Sequence, residues 1–507
     1  MKKILMAVAL VPMMVLADTE RVDGIIWEYT VVGGKAEVGS RYPLAAITLV
    51  GSGALTSGAL TIPSTLGGLP VVSIREYAFG GCSYLKSVTI PYGVTSIAAR
   101  AFERCTGLKS VTIPVSVTSI ASGAFDDCSG LMEFVVEEGC GSYCSLDGIL
   151  YNNTMSKTMT ELIRCPLGKS GSVVIPHGVT NIEDNAFSGC TRLTSVTIPA
   201  SVTHIGTAAF SGCSALTSVV IPEGVTRMED KAFSGCSALT SVVIPGSVTS
   251  IGQSAFSGCS GLTAVTISEG VTTIGWRAFA ECSSLMSVKI PSSVTSIGNS
   301  AFEYCDWLSS VTIATGVERI GAFAFQFCGR LTSITIPASV TSIGNSAFSD
   351  CSGLTSISVH DSNAFYRSVD DCLYDKAMTT LLICPNGKMG TLTIPASVTH
   401  VGYGGVLATQ GIHDFVVEIG NKLYSSDDGI LFNVDKTELV LCPAGRSGAV
   451  TIPASVTNIG AWAFGYCSSL RAVNYLGDAP QCGGSIYSSS PNVVSYVLPG
   501  STGWNGD

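Results

Sequence analysis

The stretch that decides the fold is residues 198–220, IPASVTHIGTAAFSGCSALTSVV, because the same pattern begins again at Ile221. Each later start lies 23 residues after the one before it, at Ile244, Ile267, Ile290, Ile313 and Ile336. An Ala-Phe pair marks twelve such units, at Phe79, Phe102, Phe125, Phe187, Phe210, Phe233, Phe256, Phe279, Phe302, Phe325, Phe348 and Phe464. Repetition at a period of this length is typical of a solenoid.

The pattern inside one unit predicts how the chain runs around each coil. Val219 and Ile221 alternate with small or polar neighbours, which indicates a short strand with one buried face, and Pro222 ends it. The V-T-x-I segment returns the chain along another side, and A-F-x-x-C forms a helical or tight turn whose Phe and Cys point inward. One coil cannot bury its apolar residues alone, so the coils stack. We therefore expect a β-rich repeat solenoid with short parallel strands.

Three blocks interrupt the period, near residues 136–174, 359–393 and 417–451. Each contains S-x-D-x-x-L-(Y/F) and ends in Cys-Pro before a new Ile-Pro start. Two apolar runs around a polar turn, such as 429–432 and 438–441, predict a hairpin embedded in a variant coil.

The expected domain organisation follows from this array. Residues 1–17 combine Lys2 and Lys3, an apolar stretch and a small-residue cleavage site, which predicts a secretory signal peptide. We expect a β cap at 18–60 with strands at 25–32 and 44–50, the solenoid at 61–472, and a cap or tail at 473–507 with strands at 473–476 and 493–498.

Composition and charge exclude other protein classes. The formal net charge is −10, and no basic cluster follows Lys3, so nucleic-acid binding is disfavoured. No apolar run after the signal peptide is long enough to span a bilayer, so we expect no transmembrane segment.

The unit I-P-x-x-V-T-x-I-x-x-x-A-F-x-x-C-x-x-L-x-x-V closely resembles the BspA-like, type 5 leucine-rich repeats, over about residues 61–475. The resemblance implies a leucine-rich-repeat-like, right-handed coil stack and a secreted or cell-surface bacterial protein without catalytic residues. It also implies adhesion to a host or matrix protein, or to another cell-surface protein. Residues 498–503, LPGSTG, resemble a sortase signal but hold one residue too many, so we expect no C-terminal anchor.

Most of the nineteen cysteines occupy one repeat position. These are Cys82, Cys105, Cys128, Cys190, Cys213, Cys236, Cys259, Cys282, Cys305, Cys328, Cys351 and Cys467. Side chains in register on neighbouring coils lie about 4.8 Å apart, farther than the ~3.8 Å between disulfide Cβ atoms, so a reduced core ladder is favoured over disulfides. A row does not supply four converging zinc ligands. Cys140 and Cys144 either pair or are both free.

The remaining candidate residues give little sign of catalysis. The five histidines have no Ser, Cys or carboxylate partner at a recognisable spacing, and no hydrolase, metalloprotease, phosphate-binding or dinucleotide motif is present. We therefore expect no enzyme, no cofactor and no metal site.

Three successive coils depart from the small polar residues usual at exposed positions. They carry Trp276, Arg277, Tyr304, Trp307, Phe323, Phe327 and Arg330. Tyr304 and Phe327 share one repeat position and should stack. Exposed aromatic residues with Arg are typical of a binding hot spot, although such residues can equally pack over the turn layer.

Three functions stay open from the sequence. The leading hypothesis is a non-enzymatic recognition or adhesion protein that binds a protein or glycan partner through the solenoid surface. The second is a carbohydrate-binding module centred on the aromatic coils at 276–330. The third is a structural stalk or spacer that binds no ligand.

Overall fold

A computed structural model describes residues 18–23, 25–38, 58–153, 158–406 and 409–504. They fall into two compact units, Met1–Thr194 and Ser195–Asp507. Each unit is a stack of β-coils, so the predicted repeat solenoid is confirmed. The predicted signal peptide at 1–17 and the predicted strand at 44–50 lie outside the described residues.

A regular coil contributes two short strands to two different parallel sheets. Ser241–Ile244 pairs in register with Ala264–Ile267, and Ser250–Ile251 pairs with Thr273–Ile274. We call these the first and second strand of a coil. Val242 and Ile244 are buried, whereas Ser241 and Val243 are exposed, as the alternation of side chains along a strand requires. The A-F-x-x-C segment that follows is a series of tight turns.

The second unit contains eight first strands and seven second strands before its first variant coil. The first strands are Leu193–Thr197, Ser218–Val219, Ser241–Ile244, Ala264–Ile267, Ser287–Ile290, Ser310–Ile313, Ser333–Ile336 and Ser356–Val359. The second strands are His204–Ile205, Arg227–Met228, Ser250–Ile251, Thr273–Ile274, Ser296–Ile297, Arg319–Ile320 and Ser342–Ile343.

The remainder of the second unit alternates variant and ordinary coils. Its elements are the strands Tyr366–Val369, Cys372–Asp375, Thr380–Ile383, Gly390–Ile394 and His400–Val401, the four-residue helix Tyr403–Val406, and the strands Ile412–Val417, Tyr424–Asp427, Ile430–Asn433, Glu438–Leu441, Gly448–Ile452, Asn458–Ile459, Leu470–Tyr475, Gln481–Cys482 and Val494–Val497. The strand predicted at 473–476 begins three residues earlier, at Leu470.

The first unit begins with an antiparallel cap. Asp18–Val22, Ile25–Val32 and Lys35–Val38 pair in sequence order, and the last of them lies parallel to Leu69–Ile74. The coils then supply the strands Ala59–Thr61, Thr65–Leu66, Ser87–Thr89, Ser96–Ile97, Ser110–Ile113, Ser119–Ile120, Glu133–Val136, Tyr143–Leu146, Ile149–Asn152, Glu161–Arg164, Gly171–Val174 and Asn181–Ile182. The buried ring of Trp27 packs edge-on against Phe79 and so covers the first coil.

Within each run of regular coils the repeated phenylalanines stack through the core. In the second unit the rings of Phe256, Phe279 and Phe302 lie parallel, with centroids 5.3 Å apart at each step. This spacing follows the distance between neighbouring strands, because each coil places its ring directly over the one before it. Phe464 ends its part of the stack on Tyr487, whose ring lies 5.2 Å away.

The repeated cysteines support this stack through their thiols. The Sγ of Cys305 donates to the carbonyl oxygen of Phe279 at 3.3 Å, and Cys282 makes the same contact with Phe256 at 3.2 Å. Ser490 takes this place beyond the last regular coil and donates to the carbonyl of Phe464 at 2.6 Å. The position therefore calls for a small side chain with a hydrogen-bond donor.

The variant coils contain antiparallel hairpins and a shortened corner. In the second variant coil Cys372–Asp375 pairs with both Tyr366–Val369 and Thr380–Ile383, and Tyr374 fills the core. In a regular coil four residues separate Ile251 on the second strand from Phe256.

The backbone hydrogen bonds fix the corresponding positions in the variant coil. On the second strand, Leu381 pairs with Val401 of the next coil, so it corresponds to Ile251 of a regular coil. In the turn, the Cys384 amide donates to the carbonyl of Gly405, just as the Phe256 amide donates to the carbonyl of Ala278. Only two residues, 382 and 383, lie between Leu381 and Cys384, whereas four lie between Ile251 and Phe256. Cys384 therefore occupies the position that phenylalanine has in a regular coil. The corner of the variant coil is therefore flatter than that of its neighbours.

Candidate functional site

The A-F-x-x-C turn places two left-handed residues in nearly every regular coil. One directly precedes the Ala-Phe pair, as Phe323 does with a φ of 59°, and the other directly precedes the cysteine, as Phe327 does with a φ of 60°. The two left-handed residues reverse the chain sharply enough to bring Ala and Phe back into the core.

The position before the cysteine changes character along the second unit. Gly212, Gly235 and Gly258 occupy it first, whereas Tyr304 and Phe327 occupy it later at φ values of 58° and 60°. A residue with a Cβ costs roughly 1–2 kcal/mol in this conformation, and glycine avoids that cost. Two bulky aromatic residues at positions suited to glycine therefore mark this part of the turn surface.

Tyr304 and Phe327 stack, as their shared repeat position predicts. Their centroids lie 4.5 Å apart and their planes differ by 8°. Tyr304 is 42% exposed and Phe327 is half-buried, so the pair lies at the surface and is not part of the core.

Trp307 and Arg330 form a second pair beside the first. The Arg330 guanidinium lies over the Trp307 ring, 3.6 Å from its centroid, and Trp307 is 48% exposed. Such a cation–π contact contributes about 0.5–1 kcal/mol at an exposed site, which holds both side chains in place. We call Tyr304, Trp307, Phe327 and Arg330 the aromatic patch.

Trp276, Arg277 and Phe323 complete the set predicted from the sequence but are arranged differently. Trp276 and Phe323 are exposed, and the Arg277 guanidinium lies 5.8 Å from the Trp276 ring centroid. Arg277 also forms ion pairs with Glu281 at 2.6 Å and Glu303 at 3.2 Å. Among the described residues, no ring contact joins Trp276 or Phe323 to the aromatic patch. The structure thus joins four of the seven residues in two ring contacts, Tyr304 with Phe327 and Trp307 with Arg330.

The cysteine row lies in the core. None of the twelve residues at the repeat position, all of them in the described ranges, forms a disulfide, and all but the half-buried Cys82 are buried. Burial raises the pKa of the Cys282 thiol well above its usual range, because a thiolate is poorly solvated there. Cys140 and Cys144 are also free, and their thiols point at different carbonyl groups.

The histidines take part in local structural contacts. His413 bonds through Nδ1 to the carbonyl of Gly445 at 2.7 Å, His204 lies 3.9 Å from Glu229, and His177 and His400 are exposed. Within the described parts of the chain no group of three or more His, Cys, Asp or Glu residues is placed to hold a metal ion.

A family model described as the BspA type leucine rich repeat region, six copies, matches residues 58–161, 168–286, 272–403 and 447–505. The chain belongs to the BspA-type leucine-rich repeat family. This identification agrees with the resemblance seen in the repeat unit, and nothing in the match indicates a catalytic family or site. A comparison with curated proteins finds no match.

Solved structures of bacterial leucine-rich repeat proteins are similar to this chain. A leucine rich cell surface protein from Faecalibacterium prausnitzii is 25% identical, with a TM-score of 0.47, over 71% of this chain and 95% of the other. A leucine-rich repeat protein from Bacteroides ovatus is 26% identical, with a TM-score of 0.43, over 68% of this chain and 89% of the other. Across the described residues, no helix is both long and apolar enough to cross a membrane.

The sequence reasoning missed the left-handed positions. It also missed Trp462 and Tyr466, which occupy the same two turn positions as Phe323 and Phe327 and have φ values of 59° and 61°. Aligning the A-F-x-x-C units column by column would have shown that Trp462 and Tyr466 share their columns with Phe323 and Phe327.

Proposed function

We propose that this BspA-type protein is a non-enzymatic recognition protein, secreted or held at the bacterial cell surface, that binds a protein partner through its aromatic patch. The observation that carries the proposal is the pair of ring contacts, Tyr304 on Phe327 and Arg330 on Trp307, at an exposed surface. Trp, Tyr and Arg are the residues most enriched among binding hot spots.

The arrangement of the patch favours a rigid recognition surface. Each aromatic side chain is fixed by a neighbour on the adjacent coil, so little conformational freedom is left to lose when a partner binds. The backbone at Tyr304 and Phe327 is itself held in a left-handed conformation by the hydrogen bonds of the turn. A surface prepared in this way binds with a smaller entropic cost.

The ring contacts favour a protein partner over a glycan at this patch. Arg330 covers one face of Trp307, and Phe327 covers one face of Tyr304. With one face of each ring covered, less ring surface is left for a sugar, whereas a protein side chain packs equally well against ring edges and a guanidinium. Adhesion to a host or matrix protein, or to another cell-surface protein, is the corresponding biological role.

The test replaces patch residues with those that the chain already uses at the same repeat positions. Trp307→Ser copies Ser284, and Phe327→Gly copies Gly258. The matched control, Val220→Thr, changes another exposed residue to the Thr197 of the preceding coil. The chain and its variants are screened against arrayed matrix proteins and bacterial surface proteins by biolayer interferometry.

We expect saturable binding that the Trp307→Ser/Phe327→Gly variant weakens at least 30-fold, which corresponds to about 2 kcal/mol and to a hot spot. The control variant should bind as the parent chain does. Equal binding by parent and patch variant would rule out the patch as the site. The absence of any protein partner would instead favour the spacer function.

A further inference from the structure

The flattened corner of the second variant coil opens a notch in the turn surface. The turns that carry Gln326 and Asp350 line one side of the notch, and the turn that carries Trp462 and Tyr466 lines the other. The cavity between them has a volume of about 260 Å³, with Ile383 among the residues beneath it. It shares Ser346, Ile383 and Gly405 with an adjoining cavity of about 420 Å³.

One wall of the notch is aromatic and the other is polar. The rings of Trp462 and Tyr466 are nearly parallel, with a 16° angle between planes and 6.4 Å between centroids. Opposite them the Gln326 amide donates to the Asp350 carboxylate at 3.1 Å, which fixes both groups at the edge of the cavity. Gln326 directly precedes Phe327, so the notch lies next to the aromatic patch without including its residues.

The first variant coil has an ion pair across its corner, beside a cavity of about 190 Å³. Its corner is shortened in the same way, but Arg164 lies across it and pairs with Asp126 at 2.8 Å while donating to the carbonyl of Asn185 at 2.6 Å. Arg164 is the residue before the Cys-Pro pair, and Asp126 directly follows an Ala-Phe pair.

Ile383 and Ser349 occupy these two positions in the second variant coil. Neither side chain can form the ion pair, so no bridge of this kind spans the second notch. The second variant coil therefore lacks the ion pair that crosses the corner of the first.

We infer that the notch binds a neutral sugar residue of a glycan. A pyranose ring has an apolar C–H face, which suits the Trp462 and Tyr466 rings, and hydroxyl groups at its edge, which suit the carboxylate and amide of Asp350 and Gln326. None of the described residues that line the notch is Lys or Arg, so it offers no charge for an anionic ligand. The lining contains several uncharged hydrogen-bonding side chains and one carboxylate, which matches a polyhydroxy ligand better than a simple cation.

The experiment uses the full chain and two kinds of notch variant. Trp462→Ala removes one ring and copies Ala208, which holds the same left-handed position in another coil. The double variant Ile383→Arg/Ser349→Asp builds the ion pair of the first variant coil into the second. Val220→Thr serves as the control, because it alters an exposed residue that lines neither the notch nor the aromatic patch.

Binding is measured by calorimetry and saturation-transfer NMR with galactose, mannose, N-acetylglucosamine and N-acetylgalactosamine, with choline as a cationic competitor. At least one sugar should bind saturably, at least tenfold more weakly to Trp462→Ala and not measurably to the double variant. Val220→Thr should bind it as the parent does. Circular dichroism melts identify any variant that has lost its fold.

Three results would overturn the inference: no binding of any of the four sugars, sugar binding unchanged in folded forms of both notch variants, or displacement of the sugar by choline. Loss of protein binding in the patch variant bears only on the proposed function, since its residues do not line the notch. The failure of one proposal is thus distinguishable from the failure of the other.

Discussion

Replacing Phe279 with Ala tests whether the phenylalanine stack stabilises the coils ring by ring. Phe279 is fully buried, and the rings of Phe256 and Phe302 lie 5.3 Å from it on either side. A buried Phe→Ala change costs about 3–5 kcal/mol, and each aromatic pair contributes about 0.5–1.5 kcal/mol beyond its buried area. Because the change removes two ring contacts, we expect a loss near 5 kcal/mol in the free energy of unfolding.

Phe348 provides a matched comparison in the same unit. It is also fully buried, and it stacks on Phe325 at 5.5 Å. The following variant coil places Cys384 where the next ring would be. Phe348→Ala therefore removes one ring contact, and its cost should be smaller by about 1 kcal/mol.

Urea unfolding followed by circular dichroism measures both losses, and hydrogen–deuterium exchange shows whether they spread beyond neighbouring coils. A repeat stack is stabilised by contacts between nearest neighbours, so faster exchange should concentrate in the coils that flank the substitution. An equal or larger loss for Phe348→Ala would refute the ring-by-ring account. So would a loss below about 2 kcal/mol for Phe279→Ala, since that is less than an ordinary buried phenylalanine contributes.

Two further predictions concern the turn surface and the thiols. Gly258 has a φ of 74°, and a Cβ added there would lie 3.7 Å from the nearest atoms, so Gly258→Ala should cost roughly 1–2 kcal/mol from backbone conformation alone. Gly261→Ala, whose Cβ would lie 2.4 Å from the Ser237 carbonyl, should cost more in the same urea assay, and the reverse order would contradict this. At pH 8 an aromatic disulfide reagent should label the exposed Cys482 first and Cys82 and Cys144 next, because burial raises the pKa of thiols such as Cys305 and keeps them neutral. Rapid labelling of the whole cysteine row in the folded protein would contradict the burial, and fewer than nineteen thiols after unfolding without a reductant would indicate disulfides.

The repeat period made the coil, its two strands and its buried residues predictable from the sequence. Val219 and Phe210 recur at fixed spacing because each must face the same residue on the next coil, and that constraint is visible in one chain. The stacking of Tyr304 on Phe327 followed from the same argument.

The left-handed turn positions and the notch were not predictable by that route. The residue type does not predict the positive φ at Tyr304, because glycine, acidic and aromatic residues all occupy this repeat position. The notch depends on a corner two residues shorter than usual and on the pairing partners of Leu381 and Cys384. Hydrogen bonds establish that alignment, whereas spacing in the sequence only shows that the period is broken.

The shortened corner also has a consequence for how such proteins diversify. A variant coil pairs with the coil that follows it on both parallel sheets, so its hairpin and its shortened corner join the stack as one unit. Duplication or transfer of one such coil carries a cleft to another position along the stack. Exchanging two residues, to give the pair that Arg164 and Asp126 form in the first variant coil, places an ion pair across it. A lineage can therefore gain, relocate or silence a cleft by rearranging whole coils, while the hydrophobic core stays the same.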